Sequence, residues 1–143
     1  MKVISTTLDD CVIIEPDVFH DDRGFFLETF QIDRLKEIAG IHHSFVQDNH
    51  SRSTKGVLRG LHFQKNNPQG KLVRVARGSV LDVAVDLRPK SNTFGQVATI
   101  ELSDSNFQQL WVPPGFAHGF LVLSEVADFQ YKYTQYYDQT DEQ

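Results

Sequence analysis

A single cysteine, a single methionine and a single tryptophan stand among the 143 residues of this chain. One thiol, Cys11, cannot close an internal disulfide and has no second cysteine with which to build a thiolate zinc site, which fits a reducing compartment. No apolar run approaches the roughly 20 residues of a membrane-spanning helix, and Met1-Lys-Val-Ile-Ser-Thr-Thr7 has neither the apolar centre nor the cleavage site of a secretion signal. A soluble, cytoplasmic protein with no membrane partner is therefore expected. Positive charge is also short, with 14 Lys and Arg against 19 Asp and Glu and a formal charge of −5. That balance argues against a broad nucleic-acid surface but leaves room for a local basic cluster holding a small phosphorylated ligand. There is no Gly-x-Ser-x-Gly elbow and no phosphate-cradling Gly-rich loop, and Cys11 has no basic neighbour to activate it, so nucleophilic catalysis has no candidate. Nor do two histidines recur one residue apart on a strand. His42 and His43 are adjacent and diverge, and His62 is followed by Phe63 and Gln64, so no metal is expected.

What is present is β structure. With 40% hydrophobic and 11% aromatic residues the chain can bury one sizeable core, and residues 1–143 read as a single domain. Strands are expected over Cys11–Glu15, Phe25–Phe30, the stretch around Gly56–Gln64, Lys71–Arg77, Val80–Leu87, Gln96–Leu102, Gln108–Val112, Gly119–Leu123 and Val126–Tyr133, with turn signals between them. Lys71–Arg77 and Val80–Leu87, joined at Gly78-Ser79, read as a hairpin. The one good helix runs from Asp33, a candidate N-cap, to Ala39, and Gly40 stops it. Many short strands and one brief helix indicate an all-β jelly roll or sandwich.

The run Gly56-Val-Leu-Arg-Gly-Leu-His-Phe-Gln64 is the most informative. Its apolar residues ask for burial in a sheet, yet it carries an arginine and a histidine that are costly to bury unpaired. Alternation would put Arg59 and His62 on opposite faces, but Gly60 permits a bulge that turns both into one cavity. A core histidine beside a snorkelling arginine satisfies the same pattern. For chemistry, His62 is a natural base near neutral pH, Arg59 and Lys71 can steady an oxyanion, and tyrosines 131, 133, 136 and 137 offer phenolic acids. That set suits enolate formation next to a ketone. Pro113-Pro-Gly-Phe-Ala-His118 forces a tight turn that leaves His118 where it can meet a phosphate. Glu28, flanked by Phe26 and Phe30 on one strand face, needs a donor or a solvated edge.

Taken together, Asp22-Arg-Gly-Phe-Phe-Leu-Glu28, Gln47-Asp-Asn-His-Ser51, the Gly56–Gln64 run, Gln69-Gly-Lys-Leu-Val-Arg74, Gly78–Asp86, Gln109–Pro113, Gly115–Phe120 and Tyr131–Tyr137 resemble the dTDP-4-dehydrorhamnose 3,5-epimerase family. The resemblance runs from about Val12 to Glu142. It implies a cupin-like jelly roll, no cofactor, no metal, and a homodimer with exchanged N-terminal strands. The implied substrate is a dTDP-4-keto-6-deoxyhexose on the route to cell-surface polysaccharide. It assigns proton abstraction at C3 and C5 to His62, reprotonation from the other face to Tyr131, and the keto oxygen to Arg59 and Lys71. It further implies nucleotide-sugar contacts at Arg23, Glu28, Gln47, Asn49, His118 and Glu142, with Phe26 and Tyr136 stacking on thymine. The family pattern continues past the residue matching Gln143 to a Lys-Asp pair whose aspartate orients the histidine. No match to that pair lies in these residues, and Asp82 is the candidate substitute. The alternatives are a mono-epimerase acting at one carbon and a non-catalytic nucleotide-sugar binding module.

Overall fold

The computed structural model describes residues 1–143. In chain order the strands are β1 (Lys2–Ser5), β2 (Val12–Glu15), β3 (Val18–Asp21), β4 (Gly24–Leu27), β5 (Gln47–Thr54), β6 (Leu58–His62), β7 (Lys71–Arg77), β8 (Ser79–Asp86), β9 (Val97–Ser103), β10 (Gln109–Val112), β11 (Phe116–Val122) and β12 (Val126–Tyr133). Helix α1 spans Ile32–Ala39. A six-stranded sheet in the order β1-β2-β10-β7-β12-β5 faces a four-stranded sheet in the order β6-β11-β8-β9, and β3 and β4 form a separate hairpin. This is the all-β double-sheet architecture that the strand pattern indicates, arranged as the jelly roll that the resemblance implies. No helix is long and apolar enough to cross a membrane.

Alternation along the strands builds the core. Val73 and Val75 of β7, Leu110 and Val112 of β10 and Phe129 of β12 point inward to meet Val80, Ala84, Phe120 and Val122 from the other sheet. Cys11 lies in the same cluster, fully buried, and burial pushes its thiol up to about 12. On the outer face of the larger sheet, Leu72 and Trp111 join Ile14 and receive Leu35 of α1 and Ile41 beyond it. Each such aliphatic side chain contributes about 1.5–3 kcal/mol on burial, enough to hold a two-turn helix that is too short to persist alone.

Four local expectations are corrected. β7 and β8 do not pair with each other: β7 lies between β10 and β12, and β8 between β11 and β9. Gly78 carries the chain from one sheet to the other at φ +86°, where a Cβ would run into the Val126 carbonyl. The helix is capped by the Gln31 side chain, which accepts from the Arg34 N–H at 2.9 Å, so the cap precedes Asp33; Gly40 does end the helix in the left-handed region. β4 stops at Leu27, and Glu28 lies beyond the strand as the ion-pair partner of Arg34, at 2.9 Å. Finally, β6 is an edge strand and its side chains are exposed, Leu58 by 67% and Leu61 by 52%. An edge strand covers only part of a sandwich face, so the apolar residues of β6 do not imply burial, and Arg59 and His62 escape most of the expected desolvation.

Candidate active site

Between the sheets lies a cavity of about 250 Å³. Lys71, the first residue of β7, enters it beside Tyr131 and Tyr133 at the end of β12, with Gln47 and Asn49 contributed by β5. These residues share a wall because inward-facing positions recur every second residue and β12 is flanked by β5 and β7. Arg59 and His62 line the opposite side, so one cavity receives both. The backbone between them makes this workable. Gly60 has φ +104° and lies so close to the neighbouring β11 that a Cβ there would sit 2.7 Å from the Gly119 Cα, and one on Gly119 would sit 2.6 Å from the Arg59 carbonyl. The β6–β11 register shifts at this point, between His118 and Phe120.

The charges are distributed unevenly. Lys71 is only 7% exposed. Burial pushes its ammonium down to about 8 against the opposing pull of Asp82 and Glu142. Half-burial raises the Tyr131 phenol and the nearby Arg59 charge draws it back, while burial raises Tyr133 further. Arg59 donates from Nε to Ser53 Oγ at 2.8 Å, which fixes the guanidinium beside the phenol. His62 is half exposed, and the Glu142 carboxylate holds its Nδ1. The second oxygen of Glu142 accepts from the Tyr137 hydroxyl; that bond, opposed by partial burial and helped by His62, keeps the carboxyl below its ordinary range.

His118 lines the cavity from within a strand rather than from the turn before it. It is buried on β11 with Nε2 at 2.8 and 2.9 Å from the two oxygens of Asp82, and its ring stacks on Phe129. Burial raises the Asp82 carboxyl, and His118 and Lys71 pull against that rise. Asp82 is thus the partner of His118, and the carboxylate on His62 is Glu142. Inward-facing Asp82 and Asp86 also show that the acidic face of β8 is the buried one. Asp86 is held in its ionised form by Arg88, Ser91 and Thr93, whose hydrogen bonds more than reverse the effect of burial.

Four predicted contact residues do not line this cavity. Arg23 lies on the β3–β4 turn with its guanidinium on Asp21 at 2.6 Å. Phe26, on the same hairpin, is 70% exposed; Glu28 is on Arg34, and Tyr136 is 71% exposed. Residues to which the sequence assigned no role also reach the site. Gln64 and Gln69 tie the C-terminal tail down through the Asp138 and Gln135 carbonyls, at 3.0 and 2.9 Å. Both stand at the ends of runs that carry the resemblance, flanking a Pro-containing loop, and nothing in either run marks a contact with residues 135–138.

No group of three His, Cys, Asp or Glu side chains is gathered closely enough to hold a metal ion. A jelly-roll cavity walled by an imidazole, phenols and fixed cations defines a cupin-like enzyme equipped for proton transfer beside a carbonyl. Residues 5–143 match the family model described as dTDP-4-dehydrorhamnose 3,5-epimerase, and the chain belongs to that family. It is 59% identical over 138 residues to the dTDP-4-dehydrorhamnose 3,5-epimerase of Escherichia coli, a match covering 96% of this chain and 75% of that protein. The dTDP-6-deoxy-D-glucose-3,5-epimerase of Legionella pneumophila, solved in complex with dTDP-4-keto-L-rhamnose, superimposes with a TM-score of 0.96 at 56% identity, over 99% of this chain and 75% of that one. ChmJ, a 3'-monoepimerase from Streptomyces bikiniensis solved with dTDP-quinovose, is more distant, with a TM-score of 0.89 at 27% identity, over 97% of this chain and 71% of that one.

Proposed function

We propose that this chain inverts C3 and C5 of dTDP-4-dehydro-6-deoxyglucose to give dTDP-4-dehydro-L-rhamnose, with His62 as base and Tyr131 as acid. The observation that carries the assignment of roles is the placement of His62, Arg59, Lys71 and Tyr131 around one cavity. With Nδ1 held by Glu142, Nε2 is the ring nitrogen left to take the proton from the carbon next to the C4 ketone. The C–H electron pair becomes the carbon–carbon double bond of an enolate, and the carbonyl π pair moves onto O4. Lys71 and Arg59 stabilise that oxygen as charge builds, in a partly dry site where fixed cations act strongly. Tyr131, kept protonated by its raised phenol, returns a proton from the other face. The enolate then collapses to the inverted ketone, and solvent resets the phenolate and the imidazolium. No oxidant or reductant enters the balance.

Gln47, Asn49 and Glu142 are read as contacts on the sugar-nucleotide, and the same reading makes the protein a cytoplasmic homodimer. The β3–β4 hairpin presents Phe19, Phe25 and Phe26, each more than half exposed, on a segment apart from the core. Exchange of N-terminal strands between two copies would cover those rings and carry Arg23, Phe26 and Glu28 of one copy to the cavity of the other. The deciding experiment incubates the protein with substrate in deuterated water: deuterium at C3 and C5 supports double inversion, deuterium at one carbon alone makes it a mono-epimerase, and no incorporation removes the enzymatic reading.

A further inference from the structure

We infer that Asp82 is a positioning residue that acts through Lys71: drawn back by His118, it supplies the buried counter-charge that keeps the Lys71 ammonium cationic while leaving its N–H donors free for O4. Two opposite charges are buried between the sheets without touching. Asp82 of β8 is fully enclosed, and Lys71 of β7 is almost fully buried at the cavity wall. Either charge is costly to bury alone. Yet Lys71 Nζ makes no ion pair and no hydrogen bond within the protein, and stands 5.6 Å over the Tyr133 ring. Both Asp82 oxygens face His118 Nε2, at 2.8 and 2.9 Å, and no other donor reaches them. A carboxylate has about four acceptor positions, so one imidazole N–H leaves most of its charge unspent.

The other groups around Lys71 do not replace Asp82. Arg59, across the cavity, is itself a cation, and Tyr131 and Tyr133 are phenols that burial keeps protonated. Glu142 is the second carboxylate, but it is partly exposed and already shared between His62 and Tyr137. In keeping with that order, Asp82 opposes the lowering of the Lys71 ammonium by burial more than Glu142 does. A carboxylate in contact with Nζ would occupy the donors that a developing oxyanion needs, whereas one held at a remove supports the charge and leaves them free. His118 holds Asp82 at that remove from β11, the strand paired with β8.

The bearing on turnover rests on the epimerase reading of the cavity, but the titration of Lys71 does not require turnover. In ¹⁵N spectra of the full chain, Lys71 Nζ is expected to titrate at about 8 in wild type and about one pH unit lower in Asp82→Asn, which keeps the shape and an acceptor for His118 but removes the charge. The alkaline limb of deuterium incorporation, set by the same ammonium, is expected to move down with it. Glu142→Gln should displace Nζ by less. Lys71→Met reads the same coupling from the other side, and does so even if Asp82→Asn fails to fold: the Asp82 carboxyl, followed by ¹³C, should titrate at higher pH once the ammonium is gone. A Lys71 titration unmoved in Asp82→Asn, an Asp82 carboxyl unmoved in Lys71→Met, or a larger displacement from Glu142→Gln than from Asp82→Asn would each overturn the inference. If wild type itself exchanges no deuterium, the epimerase reading fails, while the Nζ titration still decides whether Asp82 holds the charge.

Discussion

His62→Asn removes the nitrogen that takes the proton while leaving a polar side chain at the edge of the cavity. Deuterium incorporation is expected to fall about 10²–10⁴-fold with dTDP affinity nearly unchanged, since the lost interaction belongs to the transition state. Tyr131→Phe separates the two halves of the reaction: exchange measured by mass spectrometry should survive better than inversion measured by product analysis, because His62 can still remove and return a proton on its own face. Lys71 sets an alkaline limit. Its ammonium, lowered from an ordinary 10.5 to about 8, is charged below that pH and stabilises O4, so kcat should decline as pH rises through about 8. Stability responds in the opposite sense. Below pH 8 the lysine is charged in both folded and unfolded chains and the cost of burying it is fully present; between about 8 and 10.5 the folded chain has lost the proton that the unfolded chain retains, and stability rises with pH. That Arg59, His62, Lys71 and Tyr131 could share one cavity was legible because each stands in a local run of the sequence, and all four line it. The pairing of His118 with Asp82 was not, since it joins residues 36 apart on two different strands, and nothing in either neighbourhood announces the other.

Among the elements, the bulged pairing of β6 with β11 matters most. Gly60 and Gly119 face each other there, and no side chain fits between the two backbones. Gly119→Ala should destabilise the fold by about 1–3 kcal/mol, read as a lowered denaturant midpoint, and should lose activity beyond that, because the backbone shift displaces Arg59 and His62 together. The bulge role of Gly60 was legible from a glycine set between two polar residues of a strand. The exposure of β6 was not: apolar content distinguishes strand from loop, but an edge position is decided by which strands become neighbours. The same blindness explains the supposed hairpin of β7 and β8. A glycine turn between two β runs looks alike whether the chain returns along its own sheet or crosses to the facing one.

For the whole molecule, strand exchange makes a quantitative prediction. If hairpin residues of one copy serve the cavity of the other, His62→Asn and Arg23→Ala chains, each inactive or impaired alone, should complement when mixed after subunit dissociation. Half of the dimers would be mixed and one of their two sites intact, so about a quarter of wild-type activity should return. Absence of recovery, or a monomeric mass by light scattering, would count against the exchange. Cys11 has a use at this scale. It is the sole thiol, sealed in the main core and held protonated far above neutral pH. A thiol reagent can reach it only when the sandwich itself opens, so its labelling rate in native buffer is a built-in clock for global unfolding, readable without an engineered cysteine.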